Sequence, residues 1–199
     1  MADALTHVIA ALRRPAEASS DFDLNPGTIL PAGRVLRPAG VLVPILGEGA
    51  DARLILTKRS SALKHHPGQI AFPGGKQDLC DVDVTAAALR EAREEIGLDP
   101  ANVEVLGTLP THETVSNFTM TPVLGRVKHA FQAIPEAGEV DEIFEVPLMH
   151  VLDLGNYRVE ARYWRGGLRH YYVVPFGPYY IWGATARILN ALASSAAQT

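Results

Sequence analysis

The stretch "REAREEIG", residues 90–97, decides how this chain reads. At roughly 100° per residue, Glu91, Glu94 and Glu95 fall within an arc of about 100° on a helix, while Thr85, Leu89, Ala92 and Ile96 line a separate apolar stripe. One face is expected to pack inward while another presents three carboxylates. Glu91 and Glu95 are then an i,i+4 like-charge pair, which is destabilising unless something neutralises it. Two readings follow. One is a solvated acidic face relieved by Arg90 pairing with Glu94. The other is a site for a hard cation, since clustered carboxylate oxygens suit magnesium, which shares its remaining positions with water and substrate phosphates.

The flanking residues set the context. Immediately upstream, "IAFPGGKQDLCDVD" (70–83) has the Pro and Gly content of a tight, phosphate-accessible bend. Asp83 or Asp81 can cap the helix, and Gly97 ends it. Further upstream, "AGVLVPIL" (39–46) and "ARLILTKR" (52–59) are short β-rich runs separated by "GEGAD", which predicts a hairpin. Gly47, Gly49 and Ala52 mimic a dinucleotide fingerprint, but a strand follows where that motif requires a helix. Downstream, strands are expected at 103–109, 120–127, 142–148, 157–164 and 169–176.

An amphipathic helix ending near Arg14-Pro15 opens the chain, and a last helix is expected over 179–195. Between the first helix and the hairpin, "NPGTILPAGRVLRPAG" reads as an irregular wrap. Mixed strands with one helix in the middle and one at each end imply an α+β fold, an α/β/α sandwich around a mixed sheet. A single domain is expected over 1–199, with helix and wrap in 1–36 and the core in 37–199.

Composition narrows the function. The chain has 199 residues, 47% hydrophobic and 20% charged, with a net charge of -4, so it offers no general basic field for nucleic acid. The single cysteine, Cys80, excludes an intrachain disulfide framework and a multi-cysteine zinc site, and favours a cytoplasmic setting. The first residues lack the basic n-region of a signal peptide, and no run of about 20 apolar residues predicts a membrane span.

Taken together, "GGKQDLCDVDVTAAALREAREEIGL" (74–98) resembles the Nudix box, a glycine-led loop feeding a helix with Arg-Glu, two further glutamates, then Gly and an apolar residue. The helical half matches at Arg90, Glu91, Ala92, Glu94, Glu95, Gly97 and Leu98. In the loop half, Asp81 stands where glutamate is usual, and the interval to Arg90 is one residue longer. Just upstream, "LILTKRSSALKHHPGQIAFPGG" (54–75) is similar to the signature of the coenzyme A diphosphatase branch of Nudix hydrolases. Leu56, Thr57, Arg59, Ser60, Gly68, Phe72, Pro73, Gly74 and Gly75 match it. Ile55 replaces Leu and Lys64 replaces Arg, and lysine cannot copy a bidentate arginine contact.

The resemblance implies metal-dependent hydrolysis of coenzyme A or acyl-CoA, with Mg2+ or Mn2+ as cofactor. Glu91, Glu94 and Glu95 are the implied metal ligands, with Arg90 orienting a glutamate or the glycine loop. Gly74, Gly75 and Lys76 are placed against phosphate, and Arg59 and Lys64 on the coenzyme. The base is open between Glu94 and a downstream Glu139 or Glu142, with His112 a further polar candidate. Tyr171, Tyr172, Tyr179, Tyr180 and Trp182 are candidates for stacking on adenine or for core packing. NADH, ADP-ribose or another nucleoside diphosphate derivative is the alternative substrate class, and a non-catalytic nucleotide-binding module is the alternative of another kind. The expected partner is a small molecule, not nucleic acid or membrane, and a homodimer is left open.

Overall fold

The computed structural model describes residues 4–14, 17–164 and 166–198. Eleven strands and four helices are found there: α1 (Ala4–Leu12), β1 (Ser19–Ser20), β2 (Arg37–Leu46), β3 (Arg53–Arg59), β4 (Ile70–Ala71), β5 (Gly74–Lys76), α2 (Val84–Ile96) and β6 (Val103–Thr108). They continue with β7 (His112–Glu113), β8 (Phe118–Val127), β9 (Val140–Pro147), α3 (Leu148–Leu152), β10 (Arg158–Trp164), β11 (Gly167–Val173) and α4 (Ala184–Ala196).

Strand β2 organises the whole. Its run from Ala39 to Ile45 is buried without alternation, the pattern of a strand covered on both faces. It pairs in parallel with β8 along its full length, from Arg37 opposite Phe118 to Leu46 opposite Val127. Its other edge is shared. Ala39 to Val41 pair with β5, and Ile45 and Leu46 pair with β3, which closes the expected hairpin. Pro44 falls at the gap between these two partners, where a missing N–H costs nothing. The path β1-β7-β8-β2-β3-β4, with β5, β6 and β9 attached, makes one mixed nine-stranded sheet.

Alternate side chains of β2 face different layers. Val41, Val43 and Ile45 join a core with residues of α1, α3 and α4, whereas Leu42 joins Ala88, Ala92 and Ile96 of α2. The result is the expected α+β sandwich around a mixed sheet. Complete burial of Ile96 and Leu98 contributes roughly 1.5–3 kcal/mol each.

Helix α2 has the ends read from the sequence. Asp83 Oδ1 accepts the Ala86 N–H at 2.7 Å, and Gly97 closes the helix in the left-handed region at φ 71. Two expectations are corrected. The buried stripe of α2 runs through Ala87, Ala88, Ala92, Glu95 and Ile96, while Thr85 and Leu89 are only half-buried. The carboxylate face is therefore not uniformly solvated. The last helix starts at Ala184 rather than Tyr179. Residues 179–183 instead return along the end of β11, with Val174 N–H bonded to Ile181 O and Gly183 N–H to Tyr172 O, so their backbone groups are committed to strand-like pairing. No helix among the described residues is long and apolar enough to cross a membrane.

Candidate active site

The turn into β5 lies directly on α2, and this contact builds the site. Gly74 donates its N–H to Glu95 Oε2 at 3.0 Å. A side chain at Gly74 would place Cβ 2.5 Å from Gly40 O and from Val41 Cα, so only glycine lets the turn sit this close to β2. At Gly75, Cβ would fall 2.6 Å from the Glu91 carboxyl carbon. Gly74 thus makes room for the backbone of β2 and Gly75 for the Glu91 carboxylate.

Glu95 is only 4% exposed, an uncommon place for a carboxylate. Burial pushes its pKa up to about 7, with Glu91 and Glu139 adding repulsion, against the Gly74 N–H and the Arg59 charge. Arg59 Nη1 lies 3.9 Å from Glu95 Oε1, too far for a hydrogen bond. Burial also raises Glu91, opposed by Arg90.

Arg90 binds four groups with one guanidinium. Its Nε and Nη2 donate to the two oxygens of Asp81, both at 3.0 Å, and Nη2 also reaches Lys76 O at 3.2 Å. Nη1 donates to Glu91 Oε1 at 3.0 Å and Glu94 Oε2 at 2.9 Å. The Asp81 hydrogen bonds, the largest contribution, hold Arg90 firmly in its charged form, and Arg90 lowers Asp81 in return. The expected Arg90–Glu94 pair is present, at one edge of a group of carboxylates that is not uniformly solvated, since Glu95 is buried. Sequence reasoning offered Asp81 as an alternative helix cap; the cap is Asp83, and Asp81 is instead the bidentate acceptor that orients Arg90. The signal was its place in the loop, obscured by the extra residue before Arg90.

The described residues contain no ready-made cage of three His, Cys, Asp or Glu side chains; Glu91 and Glu94 are held by Arg90 and Glu95 by the Gly74 N–H. The residues nevertheless fit a divalent cation. Hard oxygen donors, two carboxylates of raised pKa and a mutual repulsion among Glu91, Glu95 and Glu139 form a local excess of negative charge that such an ion offsets.

The remaining candidates separate. Glu139 is exposed and near enough to raise Glu91 and Glu95. Its segment is tied to the site, since Glu136 N–H binds Glu95 O and Ser60 N–H binds Glu139 O. Glu142 instead accepts the Tyr179 hydroxyl, and the Tyr179 ring stacks on Phe144. Tyr171 packs edge-on to Trp182 with centroids 5.2 Å apart. Lys76 turns to Asp78 at 3.2 Å, and Lys64 is exposed on the loop between β3 and β4. His112 is fully buried; its Nδ1 lies 2.9 Å from Ser19 Oγ and its Nε2 3.4 Å from Asp21 Oδ1, which clamps β1 to β7. Cys80 is exposed.

A glycine turn laid on a helix of glutamates, flanked by a mixed sheet, defines a class, and comparison with known proteins agrees. The NUDIX domain model matches residues 36–165. The Nudix hydrolase NudL of Citrobacter koseri is 41% identical over 157 residues, 79% of this chain and 81% of that protein, and NudL of an Escherichia coli strain matches to the same extent. Among solved structures, the chain is similar to a Nudix hydrolase from M. smegmatis, RenU (24% identity, TM-score 0.45, 57% of this chain and 71% of that one). It is also similar to a C. elegans Ap4A hydrolase (17%, TM-score 0.49, 60% and 85%). The chain belongs to the Nudix family and is a hydrolase of the Nudix diphosphatase type. That membership implies divalent-metal dependence and a nucleoside-diphosphate-linked small molecule as substrate.

Proposed function

We propose that Glu91, Glu94 and Glu95 hold Mg2+ or Mn2+ and that the chain cleaves the diphosphate linkage of coenzyme A or acyl-CoA. The products are 3',5'-ADP and 4'-phosphopantetheine or its acylated form. The observation carrying the reading is the buried, repelled carboxylate of Glu95 beside the Gly74–Gly75 turn. When bound, the cation neutralises charge on the diphosphate oxygens and lowers the pKa of attacking water. Asp81 fixes Arg90, Arg90 steers Glu91, and the Gly74 N–H fixes Glu95, so the carboxylates meet the substrate already oriented. Glu139, next to this cluster and on an anchored segment, is the better placed of the downstream bases; it would take the proton of water as the water oxygen bonds to one phosphorus and the bridging P–O bond to the leaving phosphate breaks.

The narrower choice of coenzyme A rests on the resemblance of residues 54–75 and on Arg59, which puts a cation beside Glu95. Family membership supports the wider class, nucleoside diphosphate derivatives such as NADH or ADP-ribose, more directly than coenzyme A itself. Hydrolysis of CoA, dephospho-CoA, NADH and ADP-ribose with Mg2+, resolved by chromatography, separates the readings. Release of 3',5'-ADP from CoA and weak turnover without the 3'-phosphate supports the branch. Turnover of only the other substrates keeps the chemistry and removes coenzyme A, and no turnover of any favours a binding module.

A further inference from the structure

Strands β10 and β11 stand apart from the main sheet as a two-stranded ribbon, paired from Arg158–Val173 to Trp164–Gly167 with no shift of register. Such a ribbon is marginal by itself. The outer edge of β11 is closed: Asn25 exchanges hydrogen bonds with the His170 backbone at 2.9 and 2.8 Å, and Val173 bridges to Trp182. Strand β10 pairs with β11 alone among the described residues. It contains neither a proline nor a bulge, two of the usual guards of a free edge.

The free edge is complementary to itself. An antiparallel copy of "RVEARYW" centred on Ala161 sets Arg158 opposite Trp164, Val159 opposite Tyr163, Glu160 opposite Arg162 and Ala161 opposite Ala161. The central pairs are favourable: apolar on apolar, opposite charges, and two small side chains at the axis, while at the ends Arg158 is already ion-paired with Glu160 and the Trp164 ring already lies under Arg169. Centring the pair on Glu160 or on Arg162 would instead oppose like charges. Exposure fits the same arrangement. Val159 and Tyr163 share one face of the strand and are 50% and 84% exposed, with Leu168, the partner of Tyr163, at 53%. On the other face, Glu160 accepts the Tyr180 hydroxyl at 2.5 Å and Arg162 lies 4.2 Å over Trp182, which holds both charged side chains in place.

We propose that a second copy of this chain pairs with β10 edge to edge, with Ala161 on the two-fold axis, and joins two ribbons into a four-stranded sheet. The interface is isologous and independent of the chemistry at the glutamates. Residues directly opposite in an antiparallel pair have Cα atoms about 4.5–5.5 Å apart, within disulfide reach. In a Cys80→Ser background, Ala161→Cys should therefore cross-link to itself under mild oxidation. Val159→Cys should not, because its two copies lie more than ~13 Å apart, but it should cross-link when mixed with Tyr163→Cys. Light scattering across the micromolar range should show a dimer. Glu160→Arg should weaken that dimer about tenfold or more by facing Arg162 of the second copy, and adding Arg162→Glu should restore it. A monomer at every concentration, or a dimer indifferent to both charge changes and without the Ala161→Cys cross-link, overturns the proposal. The Val159→Cys and Tyr163→Cys mixture decides the register if Ala161→Cys folds poorly.

Discussion

Gly74 holds Glu95 by a single backbone hydrogen bond of 3.0 Å, and Glu95 is the most buried of the three glutamates. That burial has a thermodynamic cost, which the Gly74 hydrogen bond only partly offsets. Burial raises the Glu95 carboxyl from 4.5 to about 7, so the native state favours its protonated form. A raised carboxyl contributes stability that is complete below about pH 4.5 and is lost as pH rises through about 7. The metal-free protein should lose on the order of 3 kcal/mol from this group between those limits. Urea unfolding in a chelator, at pH 5 and pH 8, compares wild type with Glu95→Gln. The variant should lack this part of the decline, and identical pH dependence in both proteins would show that Glu95 is not the group responsible.

The same displaced proton links metal affinity to pH. If the cation binds ionised Glu95, it must release the proton that burial retains. Apparent affinity for Mg2+ should therefore increase about tenfold per pH unit below about 7 and level off above it. Calorimetry in buffers of different ionisation heat counts the protons released. Glu95→Gln should lower affinity and remove this proton release; a wild type that binds with equal affinity at pH 5.5 and 8 would exclude Glu95 from the ligand set.

The two glycines of the turn should fail in different ways. At Gly74 the added methyl meets backbone, Gly40 O and Val41 Cα, at a φ of 150°, so neither side can yield and Gly74→Ala should be destabilised by several kcal/mol. At Gly75 the methyl meets the end of the Glu91 side chain, which can rotate away. Gly75→Ala should keep a melting temperature near wild type and lose hydrolysis through a displaced Glu91. Melting curves alongside kcat distinguish the two, and a Gly75→Ala protein with full activity would show that Glu91 need not sit against the turn.

The features most legible in the sequence are those with local causes. The 3.6-residue period around Ala92 and Ile96, the Asp83 cap and the Gly97 stop each act within one or two turns of chain, and all appear in α2. What escaped depends on residues far apart. The parallel β2–β8 pairing joins residues about 80 positions apart, and nothing local announces it. Glu95 reads as one of three equivalent carboxylates until the Gly74 turn covers it. Tyr179 to Trp182 carry a helix-compatible pattern, but the end of β11 claims their backbone groups first. Asp81 stands where the motif has glutamate, one residue further from Arg90 than usual, yet its two oxygens are the fixed point from which Arg90 reaches the glutamates.

Glu139 and Glu142 are three residues apart and differ in surroundings, which makes the base testable. Glu142 is engaged by the Tyr179 hydroxyl, whereas the charge of Glu139 helps raise both Glu91 and Glu95. Glu139→Gln should reduce kcat by about 10²–10⁴-fold, the usual contribution of a positioned base, with Mg2+ affinity changed far less. Glu142→Gln should change kcat by less than about tenfold, its effect passing through the loss of the Tyr179 contact, and Tyr179→Phe should reproduce that smaller effect. The reverse ranking would assign the proton to Glu142 and require Tyr179 to release it in the complex. Equal, small effects from both variants would return the role to Glu94 on α2, whose carboxylate is shared with Arg90.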